Sequence, residues 1–164
     1  TAGAAWAVLL RFAALLAAVN LAYYADKKLD VGLVDGPYTR LVTWASASAA
    51  KLVLPYQVTS AGTLILADNR NSVHIASGCN GLEAVFLMVA AVLSYPAPWR
   101  RRLRGLALYL PALFVLNLAR VVALVHVAHS HRAILDLAHY QVAQGILIIF
   151  VLAFWVHYLR GLRA

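Results

Sequence analysis

The chain has 164 residues, of which 63% are hydrophobic and 12% are charged, and its formal net charge is +8 at pH 7. Soluble proteins have roughly a quarter of their residues charged, and the mean hydropathy here is +0.77. The excess Lys and Arg residues lie beside apolar runs, as in the cytoplasmic loops of membrane proteins. The composition therefore excludes a soluble enzyme, argues against a nucleic-acid partner, and predicts an integral membrane protein.

Four apolar runs are each long enough to cross a bilayer core of about 30 Å. They cover about residues 6–24, 82–95, 105–128 and 140–159. The second is a more plausible crossing if it starts at Cys79. The first is too long for a signal peptide, and no small-residue cleavage site ends it. We predict an all-α polytopic membrane protein with about four transmembrane helices, an interfacial amphipathic helix and a small external β-hairpin, in one membrane-embedded domain over residues 1–164.

Basic residues flank these runs unevenly. Arginines cluster between the second and third runs and after the fourth: Arg100, Arg101, Arg102, Arg104, Arg160 and Arg163. Neither cluster contains an acid, so the positive-inside rule places both in the cytoplasm. All the Asp residues then fall in segments on the other side of the membrane.

The first part of the long segment after the first run has helical periodicity. Within residues 37–54, Arg40, Thr43, Ala47 and Lys51 recur at helical spacing, with large apolar residues elsewhere around the turn. This pattern is typical of an amphipathic helix lying at the membrane interface. A full crossing is disfavoured, because burying two cations would cost several kcal/mol, but it stays an alternative.

The rest of this segment, residues 57–78, changes to the period of a β-strand. Residues 63–67 and 72–76 read as two short strands around the polar turn at 68–71. We expect an external hairpin here, which delivers the chain directly to Cys79.

Cys79 is the only cysteine, and it lies where this polar segment meets the second apolar run. A single thiol cannot form an internal disulfide, so a functional role would be that of a nucleophile or a ligand. The alternative is that it is a small apolar filler within the membrane.

Two further polar residues are expected at the same depth as Cys79. Arg120 lies sixteen residues after Arg104, about 24 Å along a helix that rises from the cytoplasmic side. His139 begins the fourth run as it descends from the outer surface. Positive charge and a helix N-terminus both lower the pKa of a thiol. His139 could exchange the thiol proton and Arg120 could stabilise an oxyanion or the thiolate, so the three predict acyl transfer at a peptide bond.

Other polar residues are candidates for supporting or substrate-binding roles. Glu83 follows Cys79 by one turn and could instead hold Arg120 in a purely structural ion pair. Asn80 directly follows Cys79, Asn117 lies one turn before Arg120, and His74 lies just ahead of Cys79. Three outer histidines could be considered for zinc, namely His126, His129 and His131. Their spacing matches no familiar ligand motif, so we predict no metal.

Three blocks together resemble the exosortase/archaeosortase family of membrane cysteine transpeptidases. They are Ser77-Gly78-Cys79-Asn80-Gly81-Leu82, Asn117-Leu118-Ala119-Arg120, and His139 followed by Gly145. The resemblance covers about the C-terminal two thirds. It implies that Cys79 is the nucleophile and that Arg120 and His139 complete the site. Many members have Ser where this chain has Asn80 and are longer at the N-terminus; the Cys-Asn-Gly-Leu-Glu form is similar to the compact exosortase H subgroup.

The resemblance also implies a substrate and a location. Such enzymes process exported proteins with a C-terminal sorting signal, made of a short motif, a transmembrane helix and a basic tail. They lie in the bacterial cytoplasmic (inner) membrane among its lipids, with the active site on the non-cytoplasmic side, and no cofactor is implied. We expect the substrate helix to lie between the second, third and fourth spans.

Three other functions remain open at this point. A transport or binding protein could use Arg120 and Glu83 to line a path for an anion or a proton. A scaffold subunit could use the same polar residues to hold helices together. A metal-dependent intramembrane protease would need the histidine cluster to bind zinc.

Overall fold

A computed structural model describes residues 2–29, 32–68, 71–76, 78–135 and 137–163. Five α-helices lie within these ranges: α1 (Ala2–Lys28), α2 (Asp35–Val53), α3 (Leu82–Ser94), α4 (Trp99–Ser130) and α5 (Gln144–Arg163). A small antiparallel sheet lies between α2 and α3, and its strands are β1 (Val58–Ala61), β2 (Leu64–Ala67) and β3 (Asn71–His74). A 3₁₀ turn, Arg132–Ile134, and a π-helical segment, Leu137–Ala143, join α4 to α5.

The helices bear out the prediction of a polytopic helical membrane protein. Within the described ranges, α1, α4 and α5 are long and apolar enough to cross a membrane. The second predicted span is shorter than expected: α3 has 13 residues and is about 20 Å long. It begins only at Leu82, so Cys79 lies in the turn before it. It ends where Tyr95 becomes extended, because a residue that precedes a proline is disfavoured in the helical region.

The predicted amphipathic helix is present as α2, but its faces are arranged differently from our expectation. Thr43 and Ala47, which we placed on the polar outer face, are buried, and α2 packs against α4 and β1. Trp44 and Leu52 are exposed instead, at 65% and 88%. The buried hydroxyl costs little, because Thr43 Oγ1 donates a hydrogen bond to the Thr39 carbonyl at 2.8 Å. Small residues let α2 approach its neighbours closely, as in helix packing within membranes.

The sheet has three strands in the order β1-β2-β3, so the predicted two-strand hairpin was incomplete. Val58 pairs with Ala67 and Leu64 pairs with His74 in the two antiparallel ladders. The missed strand, β1, has only one buried residue, Val58, so its sequence lacks the alternation that marks a half-buried strand.

Two apolar clusters hold the fold together. The first joins the sheet to α2 and α4 through residues that include Ile65, Val42 and Val121. The second joins α3, α4 and α5 through residues that include Met88 and Leu113. The Cys79 turn connects β3 of the first cluster to α3 of the second, so both clusters fix its position.

Candidate active site

The turn that carries Cys79 is bounded by two glycines with left-handed backbone. Gly78 has φ +88° and Gly81 has φ +83°, a region that other residues occupy only at a cost. The Cys79 N–H donates to the Ala76 carbonyl at 3.0 Å. A Cβ atom at Gly81 would lie 2.6 Å from Asn117 Cγ. Glycine is therefore required at 81 both for its conformation and for the close approach of α4.

Cys79 and His139 are in direct contact. Cys79 Sγ lies 2.7 Å from His139 Nε2, and both residues are partly buried. The π-helical segment Leu137–Ala143 carries His139 at the start of the chain's return through α5. Such segments are rare and occur often at functional sites. The geometry allows a proton to pass between sulfur and imidazole.

Arg120 on α4 is the cationic side chain of the site. It lies close enough for its charge to act on the Cys79 thiol. Its Nη1 donates a long hydrogen bond of 3.4 Å to Asn117 Oδ1. Its Nε and Nη2 atoms are buried and have no hydrogen-bond partner among the described residues. Within the described ranges Glu83 forms no ion pair with Arg120, although its charge also acts on the thiol.

Burial raises the pKa of the Cys79 thiol above its usual value. The positive charge of Arg120 lowers this pKa, and the negative charge of Glu83 raises it again. The lowering of this pKa by nearby positive charge, which we expected, is therefore present, but removal of the thiol from water outweighs it. A thiol that is protonated at neutral pH needs a neighbouring base, and His139 is in place to act as one.

Asn80 and Asn117 connect the cysteine turn to the arginine. Asn80 is fully buried, and its Oδ1 accepts a hydrogen bond from the Leu82 N–H at 3.0 Å. Its carbonyl accepts one from Asn117 Nδ2 at 2.6 Å. Because Asn117 also accepts from Arg120, these two amides fix Cys79 and Arg120 relative to each other.

Three residues that the sequence did not indicate complete this network. Asn80 Nδ2 donates to Asp35 Oδ1 at 2.9 Å and to Thr39 Oγ1 at 2.8 Å. The hydroxyl of Tyr23 on α1 donates to the same Asp35 oxygen at 2.9 Å. An acid followed by a hydroxyl residue four positions later is the only sequence signal, and it does not specify a contact with residue 80.

A cavity of about 270 Å³ opens beside this turn. Its wall is formed by α1, α3, the turn and the start of α5, with Arg120 as the only contribution from α4. α1 therefore contributes to this wall, whereas the substrate groove that we expect between the second, third and fourth spans stays a prediction. Asn20, Glu83 and Gln144 supply further polar groups to the lining of this cavity.

The remaining histidines lie apart from the cysteine. His74 on β3 is paired with Thr63, with 3.0 Å between Nε2 and Oγ1. The Tyr56 ring stacks on His129, whose Nε2 lies 3.9 Å from Asp68 Oδ2. Tyr56 Oη also lies 3.4 Å from His126 Nδ1. Within the ranges that the structure covers, no three His, Cys, Asp or Glu residues form a group that could hold a metal ion.

Comparison with models of known protein families gives a match over nearly the whole chain. The family described as transmembrane exosortase (Exosortase_EpsH) matches residues 1–159, nearly the whole chain. No curated protein and no solved structure matches it. At the level of the family the match supports a role in processing the sorting signals of exported proteins. From the extent of this match, the chain belongs to the transmembrane exosortase family.

Proposed function

We propose that this exosortase is a membrane cysteine transpeptidase or protease that cleaves C-terminal sorting signals through a thioester on Cys79. The observation that carries the proposal is the 2.7 Å separation between Cys79 Sγ and His139 Nε2. Arg120 supports it, because its charge acts on the thiol. A nucleophile, a base and a cation are the groups that acyl transfer requires.

In the first half of the reaction the peptide bond is exchanged for a thioester. His139 Nε2 accepts the thiol proton while the Cys79 sulfur attacks the carbonyl carbon. The carbonyl electron pair moves to oxygen, and the Arg120 N–H groups stabilise that negative charge. When the C–N bond breaks, the imidazolium gives its proton to the departing amine, and the acyl group stays on sulfur.

The second half releases the acyl group. An acceptor amine or water attacks the thioester carbonyl and gives its proton to His139. As the C–S bond breaks, the sulfur leaves as a thiolate and takes that proton back. Transpeptidation and hydrolysis use the same residues and differ only in the nucleophile that reaches the thioester.

The substrates are exported proteins whose sorting signal includes a transmembrane helix. The cavity beside Cys79 supports this choice, because a second cavity of about 200 Å³ lies next to it along α1, α3 and α5. The two cavities share Leu87 and Val151, and the second is lined almost wholly by apolar side chains. A helix lying along them would place the residues at its outer end beside Cys79.

The charge distribution supports a site on the non-cytoplasmic side of the bacterial cytoplasmic membrane. The arginines at the start of α4 favour the cytoplasm. Arg120 is sixteen residues further along the same helix, about 24 Å away. The reaction would then take place near the outer surface, where exported proteins arrive.

Intact-mass analysis of the purified enzyme after exposure to a candidate sorting-signal peptide tests the proposal. We expect wild-type enzyme to gain the mass of the acyl fragment, and Cys79→Ala to gain none while keeping its fold. His139→Ala should acylate about 10²- to 10⁴-fold more slowly, the usual contribution of a general base.

The matched control is His157→Ala, whose ring accepts or donates to the Tyr109 hydroxyl at 2.7 Å, away from the cysteine. It should acylate at the wild-type rate. Undiminished processing by Cys79→Ala would refute the thioester and favour a binding or transport role that depends on Arg120.

A further inference from the structure

We propose that Asp35 is a positioning residue for the proposed cysteine chemistry: it fixes the orientation of the Asn80 amide and thereby places Cys79 against His139. This inference rests on the proposed function for its catalytic consequence. Its geometric part concerns the Cys79–His139 contact alone and can be measured without a substrate.

The orientation of the Asn80 amide matters because its two ends are chemically opposite. The Nδ2 group faces acceptors, namely Asp35 Oδ1 and Thr39 Oγ1, while Oδ1 faces the N–H of Leu82. Asn80 is fully buried, so no water replaces a lost partner. Rotating the amide by half a turn would set oxygen against the carboxylate and nitrogen against an N–H, leaving buried groups unsatisfied at a cost of about 1–3 kcal/mol each.

Among the two acceptors, only Asp35 can dictate this orientation. A hydroxyl such as that of Thr39 can donate or accept, but Thr39 Oγ1 donates to Asp35 Oδ1 at 3.4 Å, so it is Asp35 that sets this hydroxyl as an acceptor toward Asn80. An ionised carboxylate only accepts. Asp35 is further committed as an acceptor by the Tyr23 hydroxyl, which donates to the same oxygen. Thus a side chain on α2 acts together with the Leu82 N–H to fix which way a buried amide in the cysteine turn faces.

The consequence reaches both reacting groups. With Oδ1 on the Leu82 N–H, Asn80 sets the start of α3 immediately after Cys79. The Asn80 carbonyl accepts from Asn117, which in turn accepts from Arg120. Cys79 Sγ is separated from His139 Nε2 by only 2.7 Å. A displacement of the turn by about 1 Å would break this contact, and misplacement of that size can cost about a hundredfold in rate.

Asp35 acts through Asn80 and not on the substrate. Among the described residues it does not line the cavity beside Cys79; it lines a separate cavity of about 300 Å³ with Thr63 and His74. Its loss should therefore lower the rate of acylation and leave substrate affinity unchanged. This division between kcat and KM separates a positioning role from a binding role.

The test compares Asp35→Asn with wild-type enzyme in two measurements. The first is the rate of Cys79 alkylation by iodoacetamide as a function of pH, followed by intact mass, for which the single cysteine gives one product. The second is kcat and KM with the peptide that acylates the wild type. We expect the alkylation profile to move to higher pH, because the Cys79 thiol is then no longer in contact with His139. We also expect kcat to fall about ten- to a hundredfold, with KM unchanged within about twofold.

Asp26→Asn is the matched control. Its carboxylate accepts hydrogen bonds from the Leu33 and Val34 N–H groups at 3.0 and 3.2 Å, in the same α1–α2 connection, and has no contact with Asn80. This variant should behave as wild type in both measurements. If Asp35→Asn alkylates and acylates as the wild type does, or if Asp26→Asn is equally impaired, the positioning role is refuted.

A reversed pair keeps the inference testable even if Asp35→Asn folds poorly. Asp35→Asn combined with Asn80→Asp restores a donor facing an acceptor and leaves a carboxylate to accept from Leu82. Measured at its own optimum pH, the double variant should have a kcat about tenfold higher than that of Asp35→Asn alone. A folded double variant whose kcat is no higher than that of Asp35→Asn would overturn the inference. If no peptide acylates even the wild type, the proposed function fails, whereas the alkylation profiles still decide the role of Asp35.

Discussion

Replacing Gly81 with Ala should destabilise the protein more than the same change at Gly78. Both glycines have left-handed backbone, with φ of +83° and +88°. Each alanine therefore costs about 1–2 kcal/mol for its conformation alone. The surroundings differ: a Cβ at 78 would meet only Glu83 Oε1 at 3.6 Å, which is ordinary contact. At 81 it would lie 2.6–2.8 Å from three side-chain atoms of Asn117.

The additional cost at Gly81 follows from what Asn117 must give up. To make room, its amide has to leave the Asn80 carbonyl, to which it donates at 2.6 Å. An unsatisfied buried carbonyl costs about 1–3 kcal/mol. A difference of about 2 kcal/mol corresponds to a difference in Tm of about 4–8 °C in a chain of this size.

Thermal unfolding in detergent, followed by circular dichroism, measures this difference. We expect Gly81→Ala to unfold about 4–8 °C below Gly78→Ala, and to acylate more slowly because Asn117 also holds Arg120. In an Asn117→Ala background the two alanine variants should unfold at the same temperature, because the Asn117 side-chain atoms that clash with a Cβ at position 81 are then absent. Equal losses of Tm in the wild-type background would refute the steric argument.

Two further predictions concern the thiol and the α4–α5 contact. Glu83 raises the pKa of the Cys79 thiol and Arg120 lowers it. The pH profile of iodoacetamide alkylation should therefore shift to lower pH in Glu83→Gln and to higher pH in Arg120→Gln. Shifts in the same direction in both variants would contradict this. A Cβ at Gly105 would lie 2.8 Å from Tyr158 Cε2, so Gly105→Ala should lower stability by about 1–3 kcal/mol through overpacking and leave the kcat of acylation unchanged, and an unchanged Tm would contradict it.

Much of the architecture follows from hydrophobic length and charge. Apolar runs located three helices that could span a membrane, and a depth argument placed Cys79 and His139 in one layer although sixty residues separate them. Depth along a helix is readable because the rise per residue is constant. The chemical roles of these residues stay predictions until the acyl adduct is measured.

The features that the sequence did not predict depend on how each helix is rotated about its own axis, and thus on which of its faces is buried. On α2 we placed Thr43 and Ala47 on the polar face of an interfacial helix, whereas the structure buries both and exposes Trp44. Lipid removes the penalty for exposing large apolar side chains, so the usual inside-outside pattern no longer applies. The contact of Asp35 with Asn80 follows from this rotation. The π-helical segment around His139 was likewise missed, since no composition marks it.

The length of α4 has a mechanical consequence for the sheet. This helix runs for 32 residues with Pro111 inside it, about 48 Å, and after the proline it carries Arg120 directly beside Val121, which belongs to the same apolar cluster as Ile65 of the sheet. A tilt of this part of α4 would move the Arg120 guanidinium together with the strands that pack against the helix. The sheet and Arg120 are therefore held by the same stretch of α4, so a movement of the strands away from this helix would disturb the packing directly beside the guanidinium.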